Sequence, residues 1–438
     1  MLTKIKDKYL EFSSFIILML WVISPLIEYF LKIGYRHLYT HYFTTIIYIG
    51  GSVGIILYII YLAKLIKSGK INIKKFIPEL ILFTLLIISI ISTIVSKDSY
   101  MSFYGETYRK EGLLVYIMYI GFLLSASIIK DSKYLNYVFK TMIIVCLIIT
   151  INPIFGSKFT YLKFTNIFHN PNHYGYYLMI NTMIALFMFI NNNKLIKKVI
   201  YMLIYIFFLY LLLRNDTFGS YLAILATLIF LFIYSMIKKH NRLKVLLVII
   251  IFIVTSFSVS HFDIKIGEKV NFKSTKGFLL EDFFFLVKDV SDITDDDGKV
   301  EESAGSYRII LWKEAWNYTL EHPIFGGGME CLKYYYMGWK KGYYAKYNDR
   351  PHNSIIQAAA FIGIPGAIVY LTFILYIAIS NLILLKKDNL HIMIYCTAMC
   401  YFLSSLLGNS MYYTSPYFVI LLGLLIGFRR NKIELAKS

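Results

Sequence analysis

The stretch SIIQAAAFIGIPGAIVYLTFILYIA, residues 354–378, contains no Asp, Glu, Lys or Arg and directly follows Arg350-Pro351-His352-Asn353. A helix of about 20 apolar residues is long enough to cross the hydrocarbon core of a bilayer. The stretch therefore predicts a membrane-spanning helix. The polar tetrapeptide before it marks the point where the chain enters the membrane.

Similar apolar runs recur along the chain, in which 58% of the 438 residues are hydrophobic. Soluble domains are roughly half apolar, so a buried soluble core does not explain this composition. We predict an all-α polytopic integral membrane protein with about twelve transmembrane helices. The predicted spans are residues 12–31, 43–65, 76–95, 112–129, 137–155, 168–190, 195–213, 217–237, 243–257, 354–378, 391–407 and 415–428.

Basic residues are concentrated in alternate loops, and Lys and Arg near span ends accumulate on the cytoplasmic side of a membrane. This pattern predicts that the N- and C-termini are both cytoplasmic. The net charge of +19 then follows from topology and from attraction to anionic inner-leaflet lipids. Nucleic acid is not a predicted partner.

Three regions follow from this count. Residues 1–260 form a nine-helix membrane region, residues 261–353 form one large extracytoplasmic loop between helices nine and ten, and residues 354–438 form a three-helix region with a basic tail. We expect the chemistry in the loop. Within it, residues 306–321 have the spacing of an amphipathic helix, which His322-Pro323 ends.

Three further motifs do not predict a metal or cofactor site. Gly326-Gly327-Gly328 lacks the Gly-Lys-Ser/Thr ending of a phosphate-binding loop, so we interpret it as a flexible turn. The acidic stretch 292–302 places Ile293 and Ala304 where a calcium loop needs ligands. His169 and His173 have a spacing of four residues but no neighbouring carboxylate to complete a metal site.

Three arginines and one histidine are predicted to share the outer side of the membrane. They are Arg109 in an outer loop, Arg214 at the end of the seventh span, Arg308 in the loop helix and His352 before the tenth span. The arginine fork binds two phosphate oxygens at once, and histidine exchanges a proton near neutral pH. The set fits transfer of a group from a lipid diphosphate to a hydroxyl. Singly, each residue can also be an interfacial anchor, a surface residue or a helix start.

Several motifs together resemble the O-antigen ligase and polysaccharide polymerase family of bacterial membrane glycosyltransferases. They are Arg308-Ile309-Ile310-Leu311-Trp312, His322-Pro323-Ile324-Phe325-Gly326-Gly327-Gly328, Pro351-His352-Asn353, Phe168-His169-Asn170-Pro171-Asn172 and the loop Gly105 to Gly112. The resemblance covers roughly residues 105–366.

The resemblance implies transfer of a glycan from an undecaprenyl-diphosphate carrier to an acceptor hydroxyl, without metal or cofactor, on the outer face of the cytoplasmic membrane. His352 resembles the family's proposed general base, and Arg308 resembles an arginine assigned to the donor diphosphate. Arg109, Arg214 and Asn353 are expected to bind substrate.

The sequence departs from the family at one position. Many members have Ser/Thr-Arg-Gly at the outer start of a span, whereas this chain has Thr217-Phe218-Gly219-Ser220. Arg214, about one helical turn earlier, is the candidate replacement.

Several functions remain open at this stage. A polymerase and a ligase differ only in the acceptor, which is another lipid-linked repeat, a lipid or a protein hydroxyl. A transporter or flippase of lipid-linked oligosaccharide also needs outward arginines, although the large outer loop favours the enzyme over this alternative. A sensor without chemistry leaves His352 and Arg308 unexplained. Oligomeric state is not readable from the chain.

Overall fold

The protein is described by a computed structural model over residues 7–31, 39–69, 72–107, 109–155, 167–168, 170–215, 217–261, 264–266, 270–272, 308–338, 349–386, 388–409 and 411–435. Helices account for most of this part of the chain. They are α1 Asp7–Leu31, α2 Tyr39–Lys67, α3 Ile77–Val95, α4 Ser99–Tyr104, α5 Leu113–Ala126, α6 Ser132–Phe155, α7 Pro171–Asn191, α8 Leu195–Arg214, α9 Phe218–Lys238, α10 Arg242–His261, α11 Arg308–Glu321, α12 Leu332–Gly338, α13 Ser354–Leu384, α14 Asn389–Ser405 and α15 Ser415–Leu435. A short antiparallel hairpin pairs β1 Ile264–Ile266 with β2 Val270–Phe272.

Nine helices in the described residues are long and apolar enough to cross a membrane. They are α1, α2, α3, α6, α7, α8, α9, α10 and α13. The prediction of a multi-pass α-helical membrane protein is confirmed. Helices α5, α14 and α15 occupy the three other predicted spans, but α5 is only 14 residues long. Twelve spans, their orientation and the location of the termini therefore stay predictions.

Helix α7 lies in the centre of the bundle, and its most apolar stretch is entirely buried. It packs against α6, α8 and α14. Because protein surrounds it on all sides, α7 accommodates the polar residues His173, Asn181 and Thr182. Within the helix, Asn181 donates from Nδ2 to the Tyr177 carbonyl and Thr182 donates to the Leu178 carbonyl, while Oδ1 of Asn181 has no partner among the described residues.

Helix α13 is broken near its N-terminal end. Ile362 has φ −125° and ψ 15°, and Gly363 has φ 77°, so two helical segments meet there. The turn after α11 fills the break: the N–H groups of Gly327 and Gly328 donate to the carbonyls of Ala360 and Phe361 at 3.0 and 3.1 Å. The glycine run is therefore a packing element held by α13, and these two N–H groups are already used.

The loop between α10 and α13 contains the hairpin, α11 and α12 among its described residues. The predicted helix over residues 306–321 is found as Arg308–Glu321, and residues 306 and 307 lie outside the described residues. The turn at residues 322–325 ends the helix at the predicted place. Helix α11 has one buried face, which includes Leu311 and Ala315, and one exposed face, on which Trp316 is 45% exposed.

Candidate functional site

The candidate site lies where α13 begins and α14 ends. The hydroxyl oxygens of Ser354 and Ser405 lie 2.9 Å apart and form a hydrogen bond. Nδ2 of Asn353 donates to the Leu406 carbonyl at 3.1 Å. His352 precedes this junction and has a positive φ of 56°, which is uncommon for a residue other than glycine. The contacts around it hold the strained backbone in place.

Asn409 determines which nitrogen of His352 carries the proton. The backbone N–H of His352 donates to Oδ1 of Asn409 at 3.1 Å, which identifies the oxygen end of the amide. Nδ2 of Asn409 consequently faces the ring and lies 3.1 Å from Nε2. Since an amide nitrogen only donates, Nε2 is the acceptor and the neutral ring is protonated on Nδ1. Among the described residues, Nδ1 is buried without a hydrogen-bond partner.

Charge and burial keep His352 neutral. Burial lowers the pKa of His352 to about 4, and the positive charges of Arg308 and Arg109 act in the same direction. The carboxylate of Asp349 opposes them. Since the pKa lies well below 7, the lone pair on Nε2 is available at neutral pH.

Arg308 is the first residue of α11, and its positive charge lowers the pKa of His352. Its Nε is buried, and no described residue accepts a hydrogen bond from it. Burial lowers the pKa of Arg308, although a guanidinium stays protonated at neutral pH. A buried donor without a partner is costly, so an anionic ligand in this position would stabilise it.

Arg109 is brought to the same place but is already engaged. Its Nη2 donates to Oδ1 of Asp349 at 2.6 Å, and its Nε donates to Oδ2 of the same carboxylate. Burial raises the pKa of Asp349, but the charge of Arg109 outweighs this and holds the pKa below its ordinary value. Arg109 therefore contributes charge to the site, while its fork is occupied by Asp349.

Arg350 is almost completely buried, with an exposed side-chain fraction of 1%. Nη1 lies 2.7 Å from Oε2 of Glu111, and Nη2 lies 2.7 Å from Oε1 of Glu330. Burial raises the pKa of Glu330, and the charge of Arg350 opposes that rise. The Arg350 guanidinium thus connects the segment before His352 to the start of α5, through Glu111, and to the turn before α12, through Glu330.

Asn353 caps α13. Its Oδ1 accepts from the N–H groups of Ile355 and Ile356 at 3.0 and 3.1 Å, as expected for asparagine at a helix start. Its Nδ2 is bound to Leu406. Both ends of the side-chain amide therefore have partners inside the fold, and the expected contact of Asn353 with substrate remains a prediction.

Arg214 ends α8 at the same end of the bundle. Its neighbour Asn215 donates from Nδ2 to the Pro171 carbonyl at 2.7 Å and to Thr217 Oγ1 at 2.6 Å, which fixes the α8–α9 corner to the start of α7. The charged groups that most strongly influence His352 are Arg308, Arg109, Asp349 and Arg350, and Arg214 is not one of them. Its role as a replacement arginine remains a prediction.

Asn409, Glu111, Glu330 and His173 were missed by sequence reasoning as members of the site. His173 is 2% exposed and its Nδ1 has no hydrogen-bond partner among the described residues. His169, the other half of the i, i+4 pair, lies outside the described residues. The one available signal was Glu111, a charged residue directly before a predicted span and inside the Gly105 to Gly112 motif.

A largely apolar cavity of about 190 Å³ lies directly beneath these charges. Its lining includes Ser354, two residues after His352, and Leu113, two residues after Glu111. The other lining residues come mainly from α3, α5, α13, α14 and α15. The cluster of charged and hydrogen-bonding side chains around His352 therefore lies at one end of an apolar cavity within the helix bundle. The described residues contain no group of three or more His, Cys, Asp or Glu able to hold a metal ion.

A comparison with protein-family models matches part of the chain. Residues 200–371 fit the family model described as O-antigen ligase, whereas a comparison with curated proteins gave no match. The matched segment runs from α8 through the break in α13 and contains Arg214, Arg308 and His352. Residues 200–371 of this multi-pass membrane protein are therefore similar to the O-antigen ligase family.

Proposed function

We propose that the protein is a membrane glycosyltransferase that moves a glycan from an undecaprenyl-diphosphate carrier to an acceptor hydroxyl at the outer face of the cytoplasmic membrane. The observation that carries the proposal is the juxtaposition of an available histidine lone pair, on His352, with the unpartnered guanidinium nitrogen of Arg308. The apolar cavity beneath them is suited to the carrier's hydrocarbon chain.

The reaction follows from these positions. The acceptor hydroxyl replaces the Asn409 amide at Nε2 of His352, which takes the proton as the oxygen attacks the anomeric carbon. The bond between that carbon and the diphosphate oxygen breaks, and its electron pair leaves with the diphosphate. Arg308 stabilises this developing charge, and Arg109 adds to the positive field around it. Attack from the side opposite the leaving group inverts the anomeric carbon.

Donor binding strengthens the base in this scheme. The free site lowers the pKa of His352 partly through the charges of Arg308 and Arg109. A bound diphosphate neutralises those charges and therefore raises the pKa of His352 toward the operating pH. The histidine is thus a weak base in the empty site and a stronger one when the donor is present.

A transfer assay tests the proposal. Purified protein in lipid is given an undecaprenyl-diphosphate oligosaccharide with and without added acceptors, and the products are separated by gel and identified by mass spectrometry. A ladder of repeats identifies a polymerase, and a single mass shift of an acceptor identifies a ligase. Donor that remains chemically unchanged under every condition contradicts the proposed function.

The role of His352 is tested with a matched histidine. His352→Ala should reduce transfer by about 10²–10⁴-fold, the usual contribution of a general base. His322→Ala removes an exposed histidine of the same loop and should leave transfer nearly unchanged. Normal transfer by a correctly inserted His352→Ala protein would exclude the residue as the base.

A further inference from the structure

A second, polar cavity of about 490 Å³ lies at the end of the bundle opposite His352. It is formed where α6, α8 and α14 begin and α7 ends. The charge pattern predicts this end to be cytoplasmic. Its polar lining residues include Lys133, Lys140, Lys197 and Asn191.

The charge of this cavity is one-sided. Lys133 and Lys140 come from α6 and Lys197 from α8, and none of the described lining residues is Asp or Glu. Positive charges that line a concave site focus a positive potential and raise the local concentration of anions. The lining is therefore suited to a negatively charged ligand.

Asn191 indicates what else the ligand must carry. Its Oδ1 is buried and receives no hydrogen bond from the described residues. An amide oxygen only accepts, and leaving it buried without a donor is costly. A phosphodiester alone supplies no donor, whereas a phosphodiester that bears a polyol supplies hydroxyls.

The surface beside the cavity is suited to acyl chains. On α6, Lys140 is followed at intervals of four residues by Ile144 and Ile148, which are 55% and 36% exposed. On α8, Ile200 and Leu203 are 48% and 58% exposed. Residues four apart share a helix face, so an exposed apolar strip runs from the lysines toward the membrane interior.

We propose that this cavity binds the headgroup of an anionic phospholipid whose phosphate carries a polyol, as in phosphatidylglycerol. The lysines neutralise the phosphate, Asn191 accepts from a headgroup hydroxyl, and the acyl chains lie against the exposed faces of α6 and α8. A soluble glycerol phosphate shares the same headgroup chemistry, but it does not use the apolar strip.

Native mass spectrometry of the full chain released from nanodiscs tests this site. We compare retention of phosphatidylglycerol with that of phosphatidic acid, whose phosphate has no polyol. Each lysine near an anionic lipid contributes roughly fivefold in affinity. The variant Lys133→Gln/Lys140→Gln/Lys197→Gln should therefore lose phosphatidylglycerol by at least about tenfold.

The control carries the same charge change elsewhere. Lys67, Lys238 and Lys386 are exposed at the same end of the bundle and do not line the cavity, so their triple change to Gln should retain the lipid. Asn191→Leu should remove the preference for phosphatidylglycerol over phosphatidic acid. Equal lipid retention by the two triple variants overturns the proposal. So does saturable binding of glycerol 1-phosphate in phosphatidylcholine nanodiscs without any retention of phosphatidylglycerol.

Discussion

Replacing Arg350 with Met tests whether the buried ion network holds the site together. Met keeps an unbranched side chain but removes the charge that lies 2.7 Å from both Glu111 and Glu330. These carboxylates are 1% and 4% exposed, so water cannot replace the guanidinium. Removing one partner of a buried ion pair costs about 3–5 kcal/mol because the remaining charge is left uncompensated. Arg350→Met should therefore lower the free energy of unfolding by about 3–5 kcal/mol.

Equilibrium unfolding in mixed micelles, followed by circular dichroism, measures this loss. The variant Glu111→Gln/Glu330→Gln/Arg350→Met leaves no buried charge in the network and should recover most of the stability. Arg350→Lys keeps the charge but not the fork, and its stability should lie between those of the wild type and Arg350→Met. If Arg350→Met costs less than about 1 kcal/mol, the value of an exposed ion pair, the network does not hold the site in the way we infer.

Three further predictions concern the same region. Arg308→Gln removes a positive charge that lowers the pKa of His352, so the acid limb of the transfer rate against pH should move to higher pH; an unchanged limb would show that the two groups are uncoupled. Asn409→Leu deletes the hydrogen bond that holds the backbone N–H of His352; because one such bond contributes about 1 kcal/mol, transfer should slow about fivefold, and an unaltered rate would remove Asn409 from the site. Gly363→Ala places a Cβ 2.3 Å from the Ile324 carbonyl oxygen and should lower the midpoint of thermal unfolding more than Gly69→Ala, where the added Cβ meets nothing within 4 Å.

Most of the helical architecture was predictable because a membrane span leaves a local signature of length and hydropathy. Helix α7 shows the limit of that signal: its mean hydropathy of 1.2 is the lowest of the nine spans, because a helix enclosed by protein tolerates polar side chains. The small helix α4 was not predicted, since its six residues are too few to show a helical period.

The site was predictable only in part. Motifs drew attention to His352 and Arg308, whereas their partners are far away in the sequence. Asn409 lies 57 residues from His352 in the sequence. Glu111 lies just before the start of α5, whereas Arg350 precedes α13, far along the chain. A single sequence contains no record of such pairings. Asn353, a predicted substrate ligand, also caps α13, as its position at a helix start favours.

The break in α13 has a mechanical consequence. The segment Ser354–Phe361 is bound to the turn after α11 through the N–H groups of Gly327 and Gly328, and His352 lies two residues before it. The same turn also accepts a hydrogen bond from the N–H group of Ile364, beyond the break, through the Pro323 carbonyl. It therefore joins both helical segments of α13 to α11 and holds the angle between them. A substitution that disrupts this turn should consequently disturb the spacing between His352 and Arg308.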